Sequence, residues 1–265
     1  MLRMIEPILL TTARLSTYAD ARLLTVASGF FFERGEHLFL VTSRHVVFDP
    51  LSGHRPNRVD VEMHTNGEDL AQSVSFCVPL YVGGTAVWRQ GADRGGDIDV
   101  AVIEIDRDAL PDTAVLQTFT PAHLTASYDT VEVGASLLVI GYPLGFHDTL
   151  HHLPVARRAA IASSFGLRFQ GQGYFLTDGR THRGTSGAPV VKRSGTEGPL
   201  PWTLLGVHSS SMDVTMRDLQ QDESLGLNCA WYADILLTLT DDSAPAEQPA
   251  AVEQSLAPST AAATG

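Results

Sequence analysis

Along the chain, apolar residues gather in short runs instead of recurring at every third or fourth position. Runs rich in β-branched and aromatic residues occupy positions 23–32, 38–42, 59–64, 98–105, 136–140, 174–177, 188–192 and 203–209, with Gly, Pro and Asp clusters between them. Such residues favour a pleated, half-buried backbone, and strands recurring at this rate predict an all-β sandwich or barrel. Helical periodicity is scarce; the one helix expected, over residues 233–239, would close the folded region. Leu110-Pro111-Asp112 and Thr120-Pro121-Ala122-His123 predict a connector near residues 110–128. The division expected is an N-terminal β half over 1–115, a C-terminal β half over 116–240, and a tail over 241–265. The tail is rich in Ala, Ser, Thr and Pro, cannot bury enough surface to offset chain entropy, and is expected to be disordered.

Composition narrows the function classes. At 265 residues, with 44% hydrophobic and 18% charged residues, the chain can bury a sizeable core. A net charge of −12 argues against general nucleic-acid binding, which needs a basic surface for phosphates. Cys77 and Cys229 are far apart and are expected to be two isolated buried thiols. The N-terminus lacks a secretory pattern, and no apolar run reaches the roughly 18 residues that span a bilayer. The expectation is a soluble cytoplasmic protein with no membrane partner.

Three segments carry candidate chemistry. In Thr181-His182-Arg183-Gly184-Thr185-Ser186-Gly187-Ala188-Pro189, glycines flank a serine, which lets the backbone turn tightly and approach a ligand closely. Such a turn also occurs as a plain hairpin. In Thr42-Ser43-Arg44-His45-Val46, a histidine ends an apolar strand; a lone histidine there is commonly a hydrogen-bonded core residue. In Gly96-Asp97-Ile98-Asp99-Val100-Ala101-Val102-Ile103, Asp99 shares a strand face with Ala101 and Ile103 and points inward, where a carboxylate needs a donor. Asp97 has the same parity, so alternation leaves both aspartates open.

The three segments resemble the catalytic blocks of trypsin-like serine proteases, in the chain order His, Asp, Ser, over roughly residues 20–215. Within that family they are most similar to bacterial Deg-type proteases, through Val139-Ile140-Gly141-Tyr142-Pro143-Leu144-Gly145 and Thr177-Asp178. The resemblance implies two chymotrypsin-like antiparallel β-barrels with the active site in the cleft between them. It implies Ser186 as nucleophile, His45 as base and Asp99, which directly precedes an apolar-Ala-apolar triplet, as its orienting carboxylate. Gly184 and Ser186 would supply the oxyanion N–H groups. Thr185 stands where the digestive enzymes carry an aspartate, so activation by a new N-terminal amine is not expected. The tail is too short and polar for the peptide-binding module of the Deg-type proteins.

Substrates implied are proteins or peptides. Gly206-Val207-His208-Ser209, with Thr181 five residues before Ser186, resembles glutamyl endopeptidases and viral chymotrypsin-like proteases. Thr181, His208 and Ser209 are therefore candidate substrate-binding residues, with Glu or Gln preferred before the cleaved bond. Arg157, Arg158, Arg168, Arg180, Arg183, Lys192 and Arg193 add a basic bias to the same half. His147, His151 and His152 form a histidine cluster without a cysteine pair or a His-Glu-x-x-His motif. It reads as a surface loop near the cleft, so no metal and no cofactor are assigned. The rival reading is a protease-fold binding module whose triad is silent. An activating partner and self-association are left open.

Overall fold

A computed structural model describes residues 5–195, 197–212 and 225–241. The strands are β1 (Thr12–Ala19), β2 (Arg22–Arg34), β3 (His37–Thr42), β4 (Arg58–His64), β5 (Ser73–Pro79), β6 (Tyr81–Val82), β7 (Thr85–Ala86), β8 (Trp88–Asp93) and β9 (Gly96–Ile105) in the first half. The second half holds β10 (Ser136–Gly141), β11 (Val155–Ile161), β12 (Tyr174–Asp178), β13 (Pro189–Arg193), β14 (Trp202–Ser211) and β15 (Leu227–Tyr232). Helix α1 (Arg44–Val47) follows β3, and α2 (Ile235–Leu239) follows β15.

All pairings among these strands are antiparallel. The first sheet runs β5-β4-β1-β2-β3-β9-β8, and the second closes as β10-β11-β12-β15-β14-β13. Val78 of β5 and Trp88 of β8, at opposite ends of the first sheet, reach one core with Leu15, Leu40 and Ile103, so that sheet curls around its own interior. The fold is the chymotrypsin-like two-barrel architecture.

The central strands of the first sheet explain why their sequences read as continuous apolar runs. In β2, Ala27 and Phe31 face the first core while Phe30 and Phe32 face the second half. In β9, Ala101 and Ile103 face the first core while Val100 and Val102 face the second half. Period-2 alternation with both faces buried gives near-continuous apolar runs. The cluster between the halves also takes Ile8, Phe119, Ile140, Val191, Val207 and Leu236, while a separate core around Phe165, Phe175 and Val190 fills the second barrel.

Between β9 and β10 the chain passes through 3-10 turns, bridging β2 through Phe119 and β14 through Leu124. The tail beyond Asp241 lies outside the described residues. One expectation needs correcting. Cys229 is buried but Cys77 is exposed, because β5 is the outermost strand of its sheet and turns much of its length to solvent. Among the described residues no helix is long and apolar enough to cross a membrane.

Candidate active site

Where β3 ends, the chain turns into α1 and sets His45 on its first turn. The first N–H groups of a helix have no partner within it, and Asp99 Oδ1 accepts the one from His45 at 2.8 Å. Asp99 Oδ2 lies 2.7 Å from His45 Nδ1. A carboxylate that grips both backbone and ring fixes the imidazole and makes Nδ1 the protonated nitrogen, which leaves the lone pair on Nε2. The Ser209 hydroxyl donates to the same Oδ2 at 2.5 Å. Burial pushes the Asp99 carboxyl upward, but the His45 and Ser209 contacts outweigh it and hold it below the usual 3.8. Burial likewise pulls His45 down, and the hydrogen bond and charge of Asp99 outweigh that, so its pKa lies above 6.5. Asp97 turns outward, 3.7 Å from Arg44 and 60% exposed.

Ser186 sits in the turn before β13, held by backbone geometry that only glycine adopts readily. Gly184 has φ +90° and Gly187 φ +84°. A methyl group at Gly184 would stand 2.5 Å from the Tyr142 carbonyl, and one at Gly187 would collide with the Ser28 carbonyl and the Thr42 hydroxyl. Among the described residues neither the Gly184 N–H nor the Ser186 N–H has a hydrogen-bond acceptor, so the turn carries two unengaged donors. The Ser186 hydroxyl donates to the Ser209 carbonyl at 3.0 Å, and among the described residues no hydrogen bond joins it to His45. Thr185 is buried, its hydroxyl without a partner among the described residues.

Ser28 ties this turn to the first half, a role the sequence reading missed. Its N–H donates to the Ser186 carbonyl at 3.0 Å and its hydroxyl to the Gly184 carbonyl at 2.8 Å. The same hydroxyl accepts from the Tyr142 N–H at 3.0 Å. A fully buried serine inside the run Val26-Ala27-Ser28-Gly29-Phe30 is the one available signal, since such a hydroxyl must find partners.

The three candidate substrate-binding residues separate. His208 is 2% exposed, and its Nδ1 has no partner among the described residues. Burial, and then the nearby charge of His45, pushes its pKa down to about 4. Thr181 donates to Asn228 Oδ1 at 2.5 Å, and Asn228 in turn donates to the Gly179 carbonyl at 2.7 Å. Among the described residues no hydrogen bond joins Thr181 to His208. Ser209 spends its hydroxyl on Asp99 and its carbonyl on Ser186.

His45, Gly184 and Ser186 line an open cavity of about 240 Å³, together with Val26, Asp49 and Arg183. Of the seven basic residues singled out in the sequence, Arg183 alone is among its lining residues. Arg168 pairs with Asp93, Lys192 donates to the Thr130 carbonyl, and Arg193 stacks on Trp202. These three side chains engage partners outside the lining of that cavity. A larger cavity, about 530 Å³ beside Lys192 and Trp202, contains none of the three catalytic candidates.

A family model for the trypsin-like peptidase domain matches residues 27–196. No curated protein sequence matches the chain. Among solved structures, the HtrA-type protease AlgW with tripeptide aligns with a TM-score of 0.54 at 18% identity, over 87% of this chain and 59% of that one. Rv3671c from M. tuberculosis aligns with a TM-score of 0.50 at 16% identity, over 88% of both chains. The serine endoprotease from Yersinia pestis gives 0.50 at 16%, over 86% of this chain and 61% of that one. At these identities the likeness is one of fold, and the chain spans less than two thirds of the AlgW chain. The matched segment covers more than half of the present sequence and runs through His45, Asp99 and Ser186, and the chain belongs to the trypsin-like peptidase domain family.

Proposed function

We propose that the chain is a serine endopeptidase acting on proteins or peptides through an acyl-enzyme. The observation that carries this reading is the two-point grip of Asp99 on His45, which leaves Nε2 as the base in a cavity that Ser186 also lines. Ser186 Oγ leaves the Ser209 carbonyl by a rotation about its side-chain bond, attacks the scissile carbonyl and passes its proton to His45 Nε2. Asp99 stabilises the imidazolium, and the Gly184 and Ser186 N–H groups take the oxyanion. His45 returns the proton to the leaving amine; water then attacks the ester by the same route and frees Ser186.

A fluorophosphonate probe tests this directly. Labelling is expected in the wild type and absent in Ser186→Ala, whose peptide turnover falls by ~10⁴-fold or more. Turnover retained by Ser186→Ala overturns the assignment. A second reading, a binding module with a silent triad, draws on the engagement of the Ser186 hydroxyl with Ser209 in place of His45. A wild type that resists the probe favours it.

The preference for Glu or Gln before the cleaved bond rests on His208. With its pKa pushed down to about 4, it is a neutral hydrogen-bonding group near pH 7 and not a counter-charge. Peptides differing only at that position should be cut faster after Glu or Gln than after Lys, Arg or Leu. The opposite order removes the preference from the proposal.

A further inference from the structure

Glu62 of β4 meets His147 and His152, which lie in the loop between β10 and β11. One ligand atom from each side chain lies within 4.8 Å of the others. The histidines were visible in the sequence as a cluster, but the carboxylate comes from the other half of the molecule, so no local spacing could reveal it. We propose that Glu62, His147 and His152 form a binding site for a zinc-type dication that clamps this loop to the first sheet.

Two features distinguish this trio from a chance encounter. His147 Nδ1 lies 2.7 Å from the Gly145 carbonyl, so Nδ1 carries the proton and Nε2 keeps its lone pair. Metal-binding imidazoles are commonly oriented in this way, through a carbonyl on the second nitrogen. Second, His152 Nδ1 stands 2.7 Å from Glu62 Oε1, yet that nitrogen is buried without a properly formed hydrogen bond, as is Glu62 Oε2. Arg14, 3.7 Å from Oε2, offsets the carboxylate charge without hydrogen-bonding it. Buried polar atoms without partners are rare, and a cation bound by roughly 2.0–2.2 Å contacts would engage them. His64 packs edge-on against His152 but spends Nε2 on the His151 carbonyl, which makes it a neighbour and not a ligand.

The donor set selects the ion. Two imidazoles and one carboxylate suit zinc-type ions, whereas calcium and magnesium take all-oxygen sites. Three protein ligands leave a fourth position for water. The clamped loop begins beside the serine turn: the Leu144 N–H donates to the Arg183 carbonyl at 2.5 Å, and the Tyr142 hydroxyl donates to the His152 carbonyl at 3.1 Å. Metal binding does not depend on the peptidase reading and is tested without turnover.

Chelator-treated full-length protein is titrated with Co²⁺. One equivalent should produce the visible bands of a four-coordinate nitrogen and oxygen site, without the near-ultraviolet charge transfer of a thiolate, and Zn²⁺ should abolish them. His147→Ala and Glu62→Gln should each weaken binding by at least about 10-fold. His45→Ala should leave the bands unchanged, which separates this site from the triad. Zn²⁺ at a large excess over its Kd should raise the Tm of the wild type by several degrees, on the order expected for ligand linkage, and that of His147→Ala by much less. A folding control comes from the metal-free Tm of His147→Ala, which should match the wild type. No bands at one equivalent, a thiolate band, bands lost in His45→Ala or bands unchanged in His147→Ala would each overturn the proposal.

Discussion

At the scale of single residues, the chemistry proposed here turns on which groups hold the proton of His45. Burial works against the imidazolium, and the hydrogen bond and charge of Asp99 more than compensate. Since the base must be neutral, kcat/KM should rise with pH through a midpoint above 6.5. His208, with its pKa pushed down to about 4, stays neutral across that range and does not blur the limb. Asp99→Asn removes the two largest raising effects and leaves burial and Arg44 against the smaller pull of Asp49, so the midpoint should fall below 6.5 while kcat drops by ~10³–10⁴-fold. Ser209→Ala acts with the opposite sign. Without the hydroxyl at 2.5 Å, Asp99 Oδ2 holds the imidazolium proton more strongly, and the midpoint should move upward. The pH profiles of the two variants measure this; a shift of both in one direction would show that Ser209 does not tune the pair.

The elements that carry these residues differ in how plainly the sequence announced them. Strands β2, β3 and β9 were evident because both of their faces are buried, giving dense β-branched and aromatic runs. Strand β11 was not, since Val155-Ala156-Arg157-Arg158-Ala159 turns alternate residues to solvent and carries two arginines. Outermost β5 is mostly exposed, although Val74, Phe76 and Val78 alternate along it, because it pairs on one side only. The partners of the site were harder still. Ser28 reaches Gly184 across 156 positions of sequence, a contact that only the folded barrels create. The glycine turn was readable, and its geometry makes a prediction. Gly184→Ala places a methyl 2.5 Å from a backbone carbonyl at φ +90°. The turn must then shift and misdirect its N–H groups, so kcat should fall by ~10²–10³-fold, the cost of an oxyanion donor. Gly166→Ala, with open space around it and no positive φ, serves as the neutral control. Steady-state rates beside circular dichroism separate a displaced turn from an unfolded protein; equal rates in both variants would remove Gly184 from the oxyanion role.

For the molecule as a whole, the decisive surface is the one between the halves. His45 and Asp99 belong to the first half and Ser186 to the second, so their alignment is set by how the two pack. Phe30 and Phe32 of β2 share one buried cluster with Val191, Val207 and Trp231 of the second half, with Phe119 of the connector against Phe30 at a ring separation of 5.6 Å. Phe165 lies instead within the second barrel, against Phe175 at 4.8 Å. Truncating either ring to alanine should cost about 3–5 kcal/mol of stability, the lost burial plus the cavity left behind. Their effects on rate should diverge. A cavity at Phe119 lets one half settle against the other, and a displacement of about 1 Å at reacting groups costs on the order of 10²-fold. A cavity at Phe165 is absorbed inside one barrel and leaves the triad in register. At a temperature where both variants are fully folded, kcat should fall at least ten times further in Phe119→Ala than in Phe165→Ala. Equal losses would mean that the direct ties through Ser28 and Ser209, and not the apolar cluster, hold the two halves of the site in line.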